Sequence, residues 1–259
     1  MIFLCEIGAG VTALKSGFDL MSIECENPEL FVTEDSIRIQ ATSSTRTTYV
    51  IMSIDRHNTT RFETNPGLFN NRIEDEPVHH LSLHSPRTSA AMKSVKKQKQ
   101  FVMTEKELEP GKLFIRTGSD AGWCHIDTSD RREVFSVPEH EQIPSEMPNI
   151  VIPLHQIKSF FSSTPRGSRT GSITITSSSL AALLQGSSGV ESRNSWGVDE
   201  GGERKDYALK ETHIRTLSKM SSLNSDGQAR FYCDVKSDTI TSLRIEVSLV
   251  FGTWYMYLM

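Results

Sequence analysis

The chain is short of the features that announce a function most directly. It has only four cysteines in 259 residues, Cys5, Cys25, Cys124 and Cys233, with no CxxC pair. That spacing excludes a disulfide framework and a zinc ribbon, and it predicts reduced, mostly buried thiols. No apolar run approaches the ~18 residues needed to span a bilayer. The first residues lack the basic start and long apolar middle of a secretory leader. The expectation is a soluble intracellular protein. Basic charge is also lacking, because 28 Lys and Arg face 32 Asp and Glu, for a formal charge of -4. This excludes a nucleic-acid module that works by net charge, but not one that segregates its charges.

Signs of catalysis are as sparse. Gly8-Ala9-Gly10 is too short for a phosphate loop and is followed by no Gly-Lys-Ser/Thr. No GxSxG occurs, and the eight histidines are scattered. The nearest approach to a metal set is His79, His80 and His84 with Glu76. Adjacent histidines on a strand point to opposite faces, and no second ligand group has the usual spacing. The reading is therefore no enzyme, no metal and no cofactor, with a metal-dependent enzyme as the contrasting class.

What is present is an order of elements. Residues 2–7 read as a strand. Val11, Leu14, Phe18 and Met21 then recur at helical spacing. Strands follow at 30–32, 36–41 and 49–54, the second with clean period-two alternation. After a loop at 65–76 come a strand at 78–83, a helix at 89–99 introduced by Ser85-Pro86-Arg87-Thr88, and strands at 101–104, 112–117 and 123–126. Residues 127–148 are charged and proline-punctuated. Val134, Phe135, Val137 and Ile143 suit a strap lying on a surface better than a plain spacer. The order then repeats: a strand at 149–152, a helix marked by Leu154, Ile157 and Phe161, strands at 172–176 and 180–184, a loop at 185–204, a strand at 206–209, a helix at 211–220, and strands at 228–235, 242–250 and 254–258. This is a pseudo-duplicated α+β chain, mostly antiparallel sheet with two helices per half.

The helices hold the positive charge. Opposite their apolar faces lie Lys15 in the first, Lys93, Lys96 and Lys97 in the second, Lys158 in the third, and Lys210, Arg215 and Lys219 on or beside the fourth. Few carboxylates accompany them, Asp19 and Glu211 among these. No aromatic residues interleave them for base stacking, and no Arg/Asn/Gln cluster suits base reading. The chemistry fits sequence-blind contact with a duplex backbone.

Three stretches resemble the sliding clamps of DNA replication, the proliferating cell nuclear antigen family. Residues 31–54, FVTEDSIRIQATSSTRTTYVIMSI, resemble the clamp's second to fourth strands. Residues 137–161, VPEHEQIPSEMPNIVIPLHQIKSFF, resemble the end of its connecting loop and the strand and helix after it. Residues 207–225, YALKETHIRTLSKMSSLNS, and 243–258, LRIEVSLVFGTWYMYL, resemble its last helix and closing strands. The likeness is closer to divergent clamps of large DNA viruses than to the cellular protein. It implies two similar clamp-type domains, 1–126 and 149–259, joined by a connecting loop at 127–148. It implies a closed ring, usually a homotrimer, whose helices surround double-stranded DNA and whose outside tethers DNA polymerase and other clamp-binding proteins. It also implies a clamp loader, roles in replication and repair, and work in the nucleus or at a viral replication site. DNA contact would fall to Lys15, Lys93, Lys96, Lys97, Lys158, Lys210, Arg215 and Lys219. A pocket for partner peptides would use Tyr49, Met52, Ile143, Pro144, Ser242 and Tyr257, although Thr42, Thr47 and Ser242 stand where the family usually has larger apolar residues or proline. Subunits would join through edge strands at Leu113 and Ile115 and at Leu180, Ala182 and Leu184. The related alternative is a non-ring, monomeric or hetero-oligomeric processivity or checkpoint factor.

Overall fold

The computed structural model describes residues 1–24, 28–73, 75–83, 88, 91, 100–117, 123–129, 147–163, 170–176, 178–186, 189–199, 201, 204–236 and 239–259. The chain divides into two compact units. The first is Met1–Val134 with Leu249–Trp254, and the second is Phe135–Ser248 with Tyr255–Met259.

The first unit begins with β1 (Phe3–Ile7), α1 (Val11–Glu24), β2 (Glu29–Val32), β3 (Ser36–Thr42) and β4 (Thr48–Asp55). It continues with β5 (Arg61–Thr64), β6 (Asn71–Ile73), β7 (Glu76–Leu83), β8 (Phe101–Glu105), β9 (Lys112–Thr117) and β10 (Cys124–Ser129). Their sheet runs β4-β3-β2-β7-β10-β9-β8-β1-β5, with β6 on β7. The apolar stripe expected on α1 is the buried one: Val11, Leu14, Phe18 and Met21 all face inward. Gly17 lets this helix lie close to the sheet, because a Cβ there would sit 2.5 Å from the Met52 sulfur on β4. Beyond β4, the Asp55 amide donates to the Phe251 carbonyl at 2.9 Å, so residues from the chain's end finish that side of the unit.

The second unit holds β11 (Ile150–Pro153), α2 (Leu154–Ser162), β12 (Thr170–Ile175), β13 (Ser179–Gln185), β14 (Glu191–Gly197), β15 (Lys205–Leu209), α3 (Glu211–Lys219), β16 (Gln228–Lys236) and β17 (Thr239–Leu249). The last strand, β18 (Gly252–Leu258), starts in the first unit and ends in the second. One sheet has β11, β16 and β17 as neighbours, and the other runs β14-β13-β12-β15. Leu154, Ile157, Phe160 and Phe161 of α2 and Ile214 and Leu217 of α3 are buried, and the two helices pack together. The pairings among β1–β10 of the first unit and among β11–β17 of the second are antiparallel.

Several expectations need correction. The loop expected at 65–76 contains β6, and the loop expected at 185–204 contains β14. β14 carries no sequence signal of a core strand, because Glu-Ser-Arg-Asn-Ser-Trp-Gly alternates exposed and half-buried positions without the apolar residues that mark one. Strand β10 runs through Asp127, Thr128 and Ser129, three residues into the expected connecting loop. Residues 130–146 of that loop lie outside the described residues, as does the second helix except for Thr88 and Ala91, both helical. The thiols are not uniformly buried: Cys5 is buried, Cys233 half-buried and Cys124 exposed. Burial and the neighbouring Glu6 push the Cys5 thiol up to about 12, so it stays protonated and inert.

Candidate nucleic-acid interface

Of the cations expected to meet DNA, Lys93, Lys96 and Lys97 fall outside the described residues; the other five can be placed. On α3, burial of His213, Ile214, Thr216 and Leu217 fixes the rotation of the helix, and Arg215 and Lys219, four apart, share the opposite, exposed face. On α2, Lys158 is exposed, in company with His155, Ser159 and Ser162. Neither Lys158, Arg215 nor Lys219 has an ion-pair partner among the described residues. Their charge is left to the solvent face. Lys15 on α1 is half-buried, engaged in an interaction of its own, and has the exposed Asp19 four residues on.

The start of α3 is held by an unusual cap. The Lys210 amide donates to His213 Nδ1 at 3.2 Å, which needs a neutral imidazole with Nδ1 bare. Burial, helped by the nearby Lys210 ammonium, holds His213 down to about 4. The same residue therefore closes the core and caps the helix, while the exposed Lys210 adds its charge at the entrance to the cationic face.

The residues expected around a partner pocket separate by burial. Met52 is fully buried under α1 beside Gly17, so it serves the core of the first unit and offers no surface. Tyr49, on the opposite face of β4 and paired with Thr42, is half-buried. Ser242 pairs with Asp234 in the β16–β17 ladder. Tyr257 is buried, its ring stacked 6.5 Å from that of Tyr255. Ile143 and Pro144 lie outside the described residues.

The expected subunit edges are corrected more sharply. β9, with Leu113 and Ile115, lies between β8 and β10; β13, with Leu180, Ala182 and Leu184, lies between β12 and β14. Both strands have neighbours on each side, and all five side chains are buried. A strand that already has two partners cannot add a third. The outer strand next to β13 is β14, whose only strand partner among the described residues is β13. In the first unit, β10 meets β7 only at Thr128 and Ser129, and β9 is the described strand partner of Cys124, His125 and Ile126.

The histidines weighed for metal binding are engaged elsewhere. His79 is buried and its Nε2 lies 2.6 Å from Glu105 Oε2, while Glu105 Oε1 accepts the Gly111 amide at 2.8 Å. His80 stacks on Phe31, ring centroids 4.4 Å apart and nearly parallel. Asn70 clasps the His80 backbone, accepting from its amide at 2.8 Å and donating to its carbonyl at 2.9 Å. Glu76 is exposed, and His84 lies outside the described residues.

No protein-family model matches the sequence, and no curated protein sequence does. Solved structures do match. Proliferating Cellular Nuclear Antigen from Entamoeba histolytica superposes on 99% of this chain and 97% of its own, with a TM-score of 0.73 at 12% sequence identity. The chain has the sliding-clamp fold. Nearly complete coverage in both directions means the likeness extends to both units, with no large insertion on either side. At this identity the shared feature is architecture, so the chemistry has to be argued from this chain's own residues.

Proposed function

We propose that this chain is a DNA sliding clamp, a non-catalytic ring that encircles duplex DNA without regard to sequence and tethers DNA polymerase and other replication and repair proteins. The observation that carries the reading is the exposed face of α2 and α3, where Lys158, Arg215 and Lys219 have no ion-pair partner among the described residues, in a protein whose net charge is -4. The clamp fold gives such a face a use. A ring is held on DNA by topology, so its backbone contacts need only be few, weak and mobile. Lys15, Lys210 and the lysines at 93, 96 and 97 would complete the cationic set.

Three copies would close the ring by strand addition. In the second unit the strand suited to this is β14, whose outer side is not taken by a described neighbour. Partners would attach by short peptides, a loader would open the ring, and the work would take place in the nucleus or at a viral replication site. Light scattering of the full chain tests ring formation. The expected mass is three times 29.0 kDa. A monomer at micromolar concentration would instead indicate a non-ring DNA-binding factor.

A further inference from the structure

The cationic helices of the second unit also carry hydroxyls, and these are not all used alike. α2 exposes His155, Lys158, Ser159 and Ser162, which at helical pitch fall in one stripe about 100° wide. α3 exposes Glu211, Thr212, Arg215 and Lys219 in a stripe of about the same width. Ser162 lies four residues after Lys158, and Thr212 three before Arg215. Both spacings make neighbours on a helix surface.

A hydroxyl in or beside a helix commonly donates to a backbone carbonyl one turn back. Ser163 and Ser218 do so, to the Phe160 and Arg215 carbonyls at 2.7 and 2.8 Å. Ser22, near the end of α1, donates to the Asp19 carbonyl at 2.8 Å. Ser159, Ser162 and Thr212 make no such bond, and none to any other described residue. They stand exposed beside Lys158 and Arg215, cations that have no ion-pair partner among the described residues.

A hydroxyl bonds a phosphate oxygen well because the acceptor is charged. Such a contact reads no base, which suits a protein that must move along any sequence. The donor itself is neutral. It displaces no counterion, so its contribution stays constant as salt rises, whereas that of a lysine or arginine fades. Glu211 lies in the α3 stripe and offsets part of the cationic attraction there, which leaves more of the hold to neutral donors.

We propose that the Ser159, Ser162 and Thr212 hydroxyls donate to phosphate oxygens of the encircled duplex and supply the part of its hold that salt does not remove. The proposal rests on the clamp reading for the presence of a duplex against these helices. Mobile contacts realise only a fraction of each bond, so the expected contribution is a modest, constant factor.

The test is fluorescence anisotropy of a short labelled duplex with the full chain over a salt series. Three variants are compared with wild type: Ser159→Ala with Ser162→Ala and Thr212→Ala; Ser159→Thr with Ser162→Thr and Thr212→Ser; and Lys158→Gln. The alanine variant is expected to bind about three- to tenfold more weakly at every salt concentration, with an unchanged salt slope. The hydroxyl-keeping variant should bind as wild type does. Lys158→Gln should lower the salt slope by about 1. Alanine favours a helix over serine or threonine, so the thermal midpoint of the alanine variant should not fall and its weaker binding is not unfolding. The proposal is overturned if the alanine variant binds like wild type, if its salt slope drops as that of Lys158→Gln does, or if the hydroxyl-keeping variant is equally weak. Retention of wild type on closed circular DNA separates the failures. If it is normal, the clamp reading survives the loss of these contacts; if it is absent and wild type does not bind the duplex, both readings fall.

Discussion

In the first unit, α1 presents Lys15 close to Asp19 and nestles onto its sheet through Gly17. In the second unit, α2 and α3 present Lys158, Arg215 and Lys219, with Glu211 as the acid on the same two helices. The first helix is specialised for close packing and is nearly neutral outside. The second pair is ordinary in packing and cationic outside. Among the described residues, the exposed helix cations without an ion-pair partner are thus concentrated in the second unit. The polar core differs as well, because the first unit buries a His79–Glu105 pair and the second caps α3 with a neutral His213.

The largest expected effect breaks the buried pair. Glu105→Ala strips His79 of its partner and the Gly111 amide of its acceptor, and should cost about 3–5 kcal/mol in denaturant unfolding. A loss under about 1 kcal/mol would show that the pair is incidental to the first unit.

Next comes the charge comparison itself. Reversing Arg215 and Lys219 together to Glu should weaken binding to duplex DNA more than tenfold and flatten its dependence on salt, with ring mass unchanged. Lys15→Gln should change the same binding by less than about twofold, since a single partly buried cation beside Asp19 adds little. Equal effects from the two variants would erase the proposed asymmetry.

The third effect is a pH dependence specific to the second unit. His213 titrates lower in the folded chain, about 4, than the usual 6.5 of the free side chain. The unfolded chain therefore binds more protons between those values, so the stabilisation is complete above pH 6.5 and drains away as pH falls toward 4. Moving from pH 7 to pH 5 should cost about 1–2 kcal/mol through this residue. His213→Asn keeps an acceptor for the Lys210 amide but does not titrate, and thermal unfolding of that variant should lose less over the same interval.

Much of the architecture was legible because its cause is local. Val11, Leu14, Phe18 and Met21 announce α1 by spacing, and the alternation in residues 36–41 announces β3. What could not be read depends on neighbours far away in sequence. Whether β9 and β13 are edges is decided by which strands flank them, and the apolar side chains that suggested an interface are the same ones that fill a core. Met52 was open to the same confusion: an apolar residue on a strand faces a helix or a pocket depending on register, and Gly17 reveals which. β14 lacks the apolar signal because an outer strand with half-exposed side chains does not need it. In the candidate nucleic-acid interface, Lys158, Arg215 and Lys219 were readable as helix-face cations. His213's capping role was not, since an apolar-face histidine gives no sign of which nitrogen accepts a hydrogen bond.

The central claim is that these cationic helices serve a ring around DNA. Its most direct test is retention of the full chain on a nicked circular duplex after loading, before and after the circle is cut once. The account predicts that the protein stays on the closed circle through a moderate-salt wash and leaves once the circle is linearised. Equal retention on both forms, or on neither, would contradict it.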